Sequence, residues 1–140
     1  MSTATPEVGA RRGYQYVVLR CVPRADREEF VNVGVVLYCE DQGFLGCAGH
    51  VEAARLAALA PTLEVGAVQS ALAAAEAVCR GEAHVPALVR DDRSGGTVLG
   101  ARFGFLSAPR STVVRPGPIH GGTTLDAAGE LERLVHVLVR

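Results

Sequence analysis

Two stretches near the start of the chain are apolar at almost every position: Tyr14–Val22, YQYVVLRCV, and Phe30–Cys39, FVNVGVVLYC. Aromatic and β-branched residues dominate both, so both read as strands. A strand that is apolar throughout is expected to have both faces covered. Gly34 falls in the middle of the second strand, where a bulge or a close backbone approach is expected. The intervening PRADREE begins at Pro23 and is highly charged, so it predicts a wide polar connection rather than a tight turn. GFLGCAG, Gly43–Gly49, follows the short turn EDQG and reads as a third strand. Strands joined this closely predict an antiparallel meander.

The period then changes. HVEAARLAALA, His50–Ala60, reads as a helix that Pro61 ends. LEVGAVQSALAAAEAVCR, Leu63–Arg80, reads as a longer one, with Val65, Val68, Leu72, Ala75 and Cys79 on one stripe. Gly81 suits its C-cap. The signal fades from Glu82 to Gly100, where DDRSGG, Asp91–Gly96, reads as an exposed turn. ARFGFLSA, Ala101–Ala108, and STVVR, Ser111–Arg115, read as short strands. The closing TTLDAAGELERLVHVLVR reads as a helix with Leu125, Ala128, Leu131, Val135 and Leu138 on its apolar stripe. Thr123 and Asp126 stand in the relation of a capping box. The pattern predicts an α+β domain: an antiparallel sheet in the order β-β-β-α-α-β-β-α, with helices packed on it.

At 140 residues the chain fits one domain, expected over residues 14–140 after a disordered tail at residues 1–13. A net charge of −1 argues against nucleic acid and membrane surfaces as partners. MSTATPEVGARRG holds no apolar signal core, so a cytoplasmic location is expected. All 14 basic residues are arginine. A lysine nucleophile is thereby excluded, and arginine abundance says little; position must carry the case. Cys21, Cys39 and Cys79 sit in apolar runs, and Cys47 lies among small residues. In a cytosolic setting they are expected reduced, several of them buried as small hydrophobes.

Candidate chemistry gathers in two places. In APRSTVVRPGPIHGG, Ala108–Gly122, Arg110 is followed by the hydroxyls of Ser111 and Thr112, then by Arg115 and His120. A guanidinium fork beside hydroxyl and backbone donors suits phosphate or carboxylate. Gly121 and Gly122 precede a helix, which favours a close anion, and Pro116 and Pro118 stiffen the connection. The second place is RCVPRADREEFVNVG. Arg20 lies on an apolar strand with Tyr16, Val18 and Val22 on its face, so it is expected half-buried with a partner among Glu28, Glu29 and Asn32. A shared pocket would join Arg20, Arg24, Arg27, Glu29 and Asn32 to the first group. Cys39, Cys47 and His50 make only half of a zinc-like spacing, so no metal is expected. Nucleotide-loop, dinucleotide and nucleophile-elbow motifs are absent, and no cofactor is expected.

The two polar groups together resemble domain-of-unknown-function family 3037, through YVVLRCVPRADREEFVNVGVVLYC and RFGFLSAPRSTVVRPGPIHGG. The resemblance spans Tyr14 to the last helix. It implies a small bacterial protein encoded beside HipA-like kinase-fold proteins, hence a protein partner, and it supplies no catalytic residue. The residues leave two expectations open. One is a non-enzymatic partner or regulatory module with an arginine-rich anion pocket. The other is an enzyme on a phosphorylated or nucleotide substrate, with Arg110 and Arg115 on the phosphate, Asn32 orienting, and His120 or Glu29 as acid or base.

Overall fold

The computed structural model describes residues 10–83 and 98–140. The exposed turn expected at Asp91–Gly96 and residues 1–9 of the expected tail lie outside them. Arg12 and Gly13, expected in that tail, belong instead to the first strand, and Arg11 Nε donates to Thr123 Oγ1 at 2.8 Å.

Among the described residues five strands form one antiparallel sheet: β1 (Arg12–Cys21), β2 (Val31–Cys39), β3 (Phe44–Gly49), β4 (Val114–Pro116) and β5 (His120–Thr124). The order is β3-β2-β1-β4, with β5 also pairing β1. Among the described residues four helices complete the α+β domain: α1 (Ala53–Leu59), α2 (Val65–Arg80), α3 (Val98–Ser107) and α4 (Ala127–Leu138). A single 3-10 turn, Ala25–Arg27, interrupts the charged β1–β2 connection. Among the described residues no helix is long and apolar enough to cross a membrane.

The sheet has a core on each side. Val17, Leu19 and Cys21 of β1 meet Leu56 of α1, Val68 and Leu72 of α2, and Phe103 and Leu106 of α3. On the other side Tyr14, Val35, Leu37 and Cys39 meet Ala127, Leu131, Leu134 and Val135 of α4. This explains why β2 is apolar at nearly every position: both its faces are buried.

A bulge breaks the alternation of β2. Leu19 pairs Gly34 while Arg20 pairs Asn32, so Val33 is the extra residue. As a result Val33 and Val36 enter the same core although they are three apart. The glycine has a steric reason as well. A Cβ on Gly34 would sit 2.9 Å from Leu72 Cδ2 and 3.2 Å from the Ala48 carbonyl oxygen.

Three local readings change. Residues 101–107 are not a strand but belong to helix α3, which buries Phe103 and Leu106 one turn apart. The two C-terminal strands come later, at 114–116 and 120–124. The first helix starts at Ala53, because His50 N instead donates to the Val33 carbonyl at 3.0 Å and continues the sheet edge. In the last helix Thr123 stays in β5, and Asp126 is the N-cap residue without a side-chain cap of its own. Gln42 does that work from the β2–β3 turn: its Oε1 accepts from Ala127 N at 2.8 Å and its Nε2 donates to the Leu125 carbonyl at 3.0 Å. Leu125 is therefore exposed rather than part of the stripe. Gly81 does close α2, with a φ of 74°.

Candidate functional site

The two polar groups do not form one pocket. The sheet divides them. Leu19 and Pro116, an in-register pair, line a groove of about 510 Å³ between α2, α3 and the β1–β4 edge. Side chains alternate across a strand, so Arg20 and Arg115, the next in-register pair, point to the opposite face. Arg110 and Thr112 line the groove with Leu19. Arg110 and Arg20 thus serve different surfaces.

The groove is apolar. Its floor is Leu19, Leu106 and Val114, and one wall is Ala67, Ala71, Ala74 and Ala75 of α2, small residues that leave room. Arg110 is the charged group at its side. Its guanidinium lies over the Phe105 ring, 4.9 Å from the centroid, and donates to the carbonyls of Phe105 and Ala108 at the end of α3. A cation there complements the helix dipole. Thr112 Oγ1 donates to the Val114 carbonyl at 2.7 Å, and Ser111 is exposed beside it. Sequence reasoning missed the alanine wall and Phe105. The signal was the run of alanines on α2, which reads as helix propensity alone until the fold sets it along the groove.

On the opposite face, Arg20 has no carboxylate partner among the described residues. Its guanidinium lies over the Phe30 ring, 4.2 Å from the centroid. Asn32, its neighbour in register, donates from Nδ2 to the Leu138 carbonyl at 3.0 Å. Arg115 donates to the carbonyls of Thr112 at 2.9 Å and Ser111 at 3.3 Å. His120 pairs Tyr16 in register, with ring centroids 5.2 Å apart and 30° between planes.

Arg24, Arg27 and Glu29 occupy a third surface, the β1–β2 connection. Arg24 pairs Asp26 at 2.6 Å and Arg27 pairs Glu29, all solvent-exposed. Arg27 holds the Glu29 carboxyl below its usual range, which keeps it ionised and unsuited to donating a proton near neutrality. The cysteines are also divided. Cys39 belongs to the α4-side core and Cys47 packs on the other, and burial pushes the Cys47 thiol far up. Among the described residues no three metal-ligating side chains cluster.

A five-stranded antiparallel sheet with three helices on one face and one on the other defines a two-cored α+β protein, with a groove on the three-helix side and an arginine pair on the other. The chain belongs to the family described as "Protein of unknown function (DUF3037)", whose model matches residues 16–139. No curated protein and no solved structure matches it.

Proposed function

We propose that the protein is a non-enzymatic binding module of the bacterial cytoplasm. It works beside a HipA-like kinase-fold protein, and its groove receives an apolar segment of that partner bearing an acidic group. The observation that carries this reading is the groove: its volume of about 510 Å³ falls in the range of roughly 300–1,000 Å³ typical of ligand pockets. Its lining is aliphatic and aromatic, and Arg110 is positioned to take a carboxylate. The alternative of an enzyme needs Arg110, Arg115 and His120 on one substrate, but Arg110 lies on the groove face while Arg115 and His120 pair with Arg20 and Tyr16.

The test is calorimetry with the purified kinase-fold protein encoded beside this one. Micromolar association is expected. Ala74→Trp, which fills the groove from an exposed position, and Arg110→Glu, which reverses the charge, are each expected to weaken it about tenfold or more. Lack of association at that concentration, or binding indifferent to both variants, would sink the reading.

A further inference from the structure

The face opposite the groove carries a second constellation. Helix α4 packs on β2 and β3, so it covers only part of this face. The row formed by β1 with β4 and β5 holds Tyr16 and Arg20 opposite His120 and Arg115.

Arg20 is held by packing rather than by a charge. Phe30 covers one side of its guanidinium, and Gly117 lies so close to it that a Cβ there would come within 2.9 Å of Cζ. Its Nε is buried without an acceptor, and Asn32 Oδ1 is buried without a donor. The ion pairs among the described residues join Arg24 to Asp26, Arg27 to Glu29, Arg80 to Glu82 and Arg133 to Glu130. Neither Arg20 nor Arg115 is among them. Two arginines thus stand opposite each other on paired strands with no counter-ion among the described residues. Like charges so placed repel, and a preorganised guanidinium is a strong receptor for an oxyanion.

Four residues back along β1, about 13 Å at the usual strand rise, Tyr16 lies against the exposed His120, their rings tilted 30° to each other. An aromatic platform and an unneutralised arginine pair on one face, that far apart, suit a base at one end and phosphoryl oxygens at the other.

We infer that this strip is a binding site for a nucleoside triphosphate, with the base on His120 and the phosphates on Arg20 and Arg115. The site does not depend on the groove, which lies on the other face.

Calorimetry with ATP, tripolyphosphate and adenosine tests it, with thermal melts verifying that each variant folds. ATP is expected to bind at submillimolar concentration and more tightly than either fragment. Arg115→Gln removes one guanidinium. Gly117→Ala displaces the other by crowding the tip of the Arg20 side chain. Each is expected to weaken both ATP and tripolyphosphate about tenfold. His120→Ala is expected to weaken ATP about tenfold and to leave tripolyphosphate unchanged. Lack of ATP binding at millimolar concentration overturns the proposal. So does adenosine binding as tightly as ATP, tripolyphosphate matching ATP, or ATP binding that responds to Arg110→Glu and not to Arg115→Gln.

Discussion

Gly34 and Gly49 face each other across β2 and β3 at the bulge, beneath Leu72. Neither can carry a methyl group without a collision, but the collisions differ in kind. At Gly49 a Cβ would meet the Val33 carbonyl oxygen at 2.4 Å, which is backbone. At Gly34 the nearest atom is the end of the Leu72 side chain, which can turn aside. Gly49→Ala is expected to destabilise the fold by about 1–3 kcal/mol, and Gly34→Ala by less. Urea melts of the two variants measure the order.

Tyr14 ties β1 to α4. Its hydroxyl donates to Glu130 Oε2 at 2.5 Å, and Arg133 holds the same carboxylate by two bonds of 2.8 and 2.7 Å. Arg133 first, and then Tyr14, bring the Glu130 carboxyl down to about 2. An acid depressed in the folded state stabilises above its unfolded value and loses that contribution as pH falls. Stability is therefore expected to decline from about pH 4.5 towards pH 2, more steeply in the native protein than in Glu130→Gln. Chemical melts across that range report it.

The same hydroxyl titrates abnormally. Burial, with help from Glu130, pushes Tyr14 up to about 12. A phenol kept neutral in the fold loses its stabilising effect as pH rises from its ordinary value near 10 towards 12. Tyr14→Phe removes that alkaline loss and the hydrogen bond together, at a cost of about 1.5–3 kcal/mol near neutrality. Ultraviolet titration of the tyrosines, compared with this variant, identifies the late-ionising one.

Gln42 caps a helix from another part of the chain. Gln42→Ala leaves Ala127 N without its acceptor and is expected to cost about 1 kcal/mol. Hydrogen exchange should quicken in the first turn of α4 and not in α2. Uniform quickening would mean that Gln42 supports the whole fold instead.

The thiols give a further check. Burial raises Cys21, Cys47 and Cys79, the last to about 11, so thiolate is scarce at neutral pH. Labelling of the native protein by a disulfide reagent is expected to follow its unfolding rate. Rapid labelling of one cysteine would place that thiol at the surface.

The N-terminal half was legible because its signals are intrinsic. Val, Tyr and Cys runs in β1 and β2 cannot stay in water, and Gly34 marked its own bulge. The C-terminal half was harder to read for physical reasons. Phe103 and Phe105 flank Gly104 at period two, which imitates a strand, while the contacts that make the segment helical come from α2 and the sheet. HGGTT has little strand propensity. It is a strand because β1 pairs with it and because Gly122 leaves room for the Tyr14 ring, whose hydroxyl would lie 2.6 Å from a Cβ there. Residue type alone marked the candidates, and it could not show how the fold groups them. Arg115 and His120 lie with Arg20 because β4 and β5 pair β1 in register, whereas Arg110 follows the end of α3 and donates to the carbonyls of Phe105 and Ala108 there. Phe30 and Gly117, which hold Arg20, have no signature outside the fold.

The middle position of β1 has a consequence for the order of synthesis. One edge of β1 is satisfied by β2 within a few residues, but the other pairs with residues 114–124, about a hundred residues later. At ribosomal rates of about 5–20 residues per second, that edge stays unpaired for roughly 5–20 seconds. During that interval the nascent chain is a sheet with an open, valine-rich border, the form most prone to add a strand from a neighbouring molecule. Arg12 and Arg20 lie on that strand, and the repulsion of like charges brought opposite each other discourages such pairing until the chain's own last strands arrive.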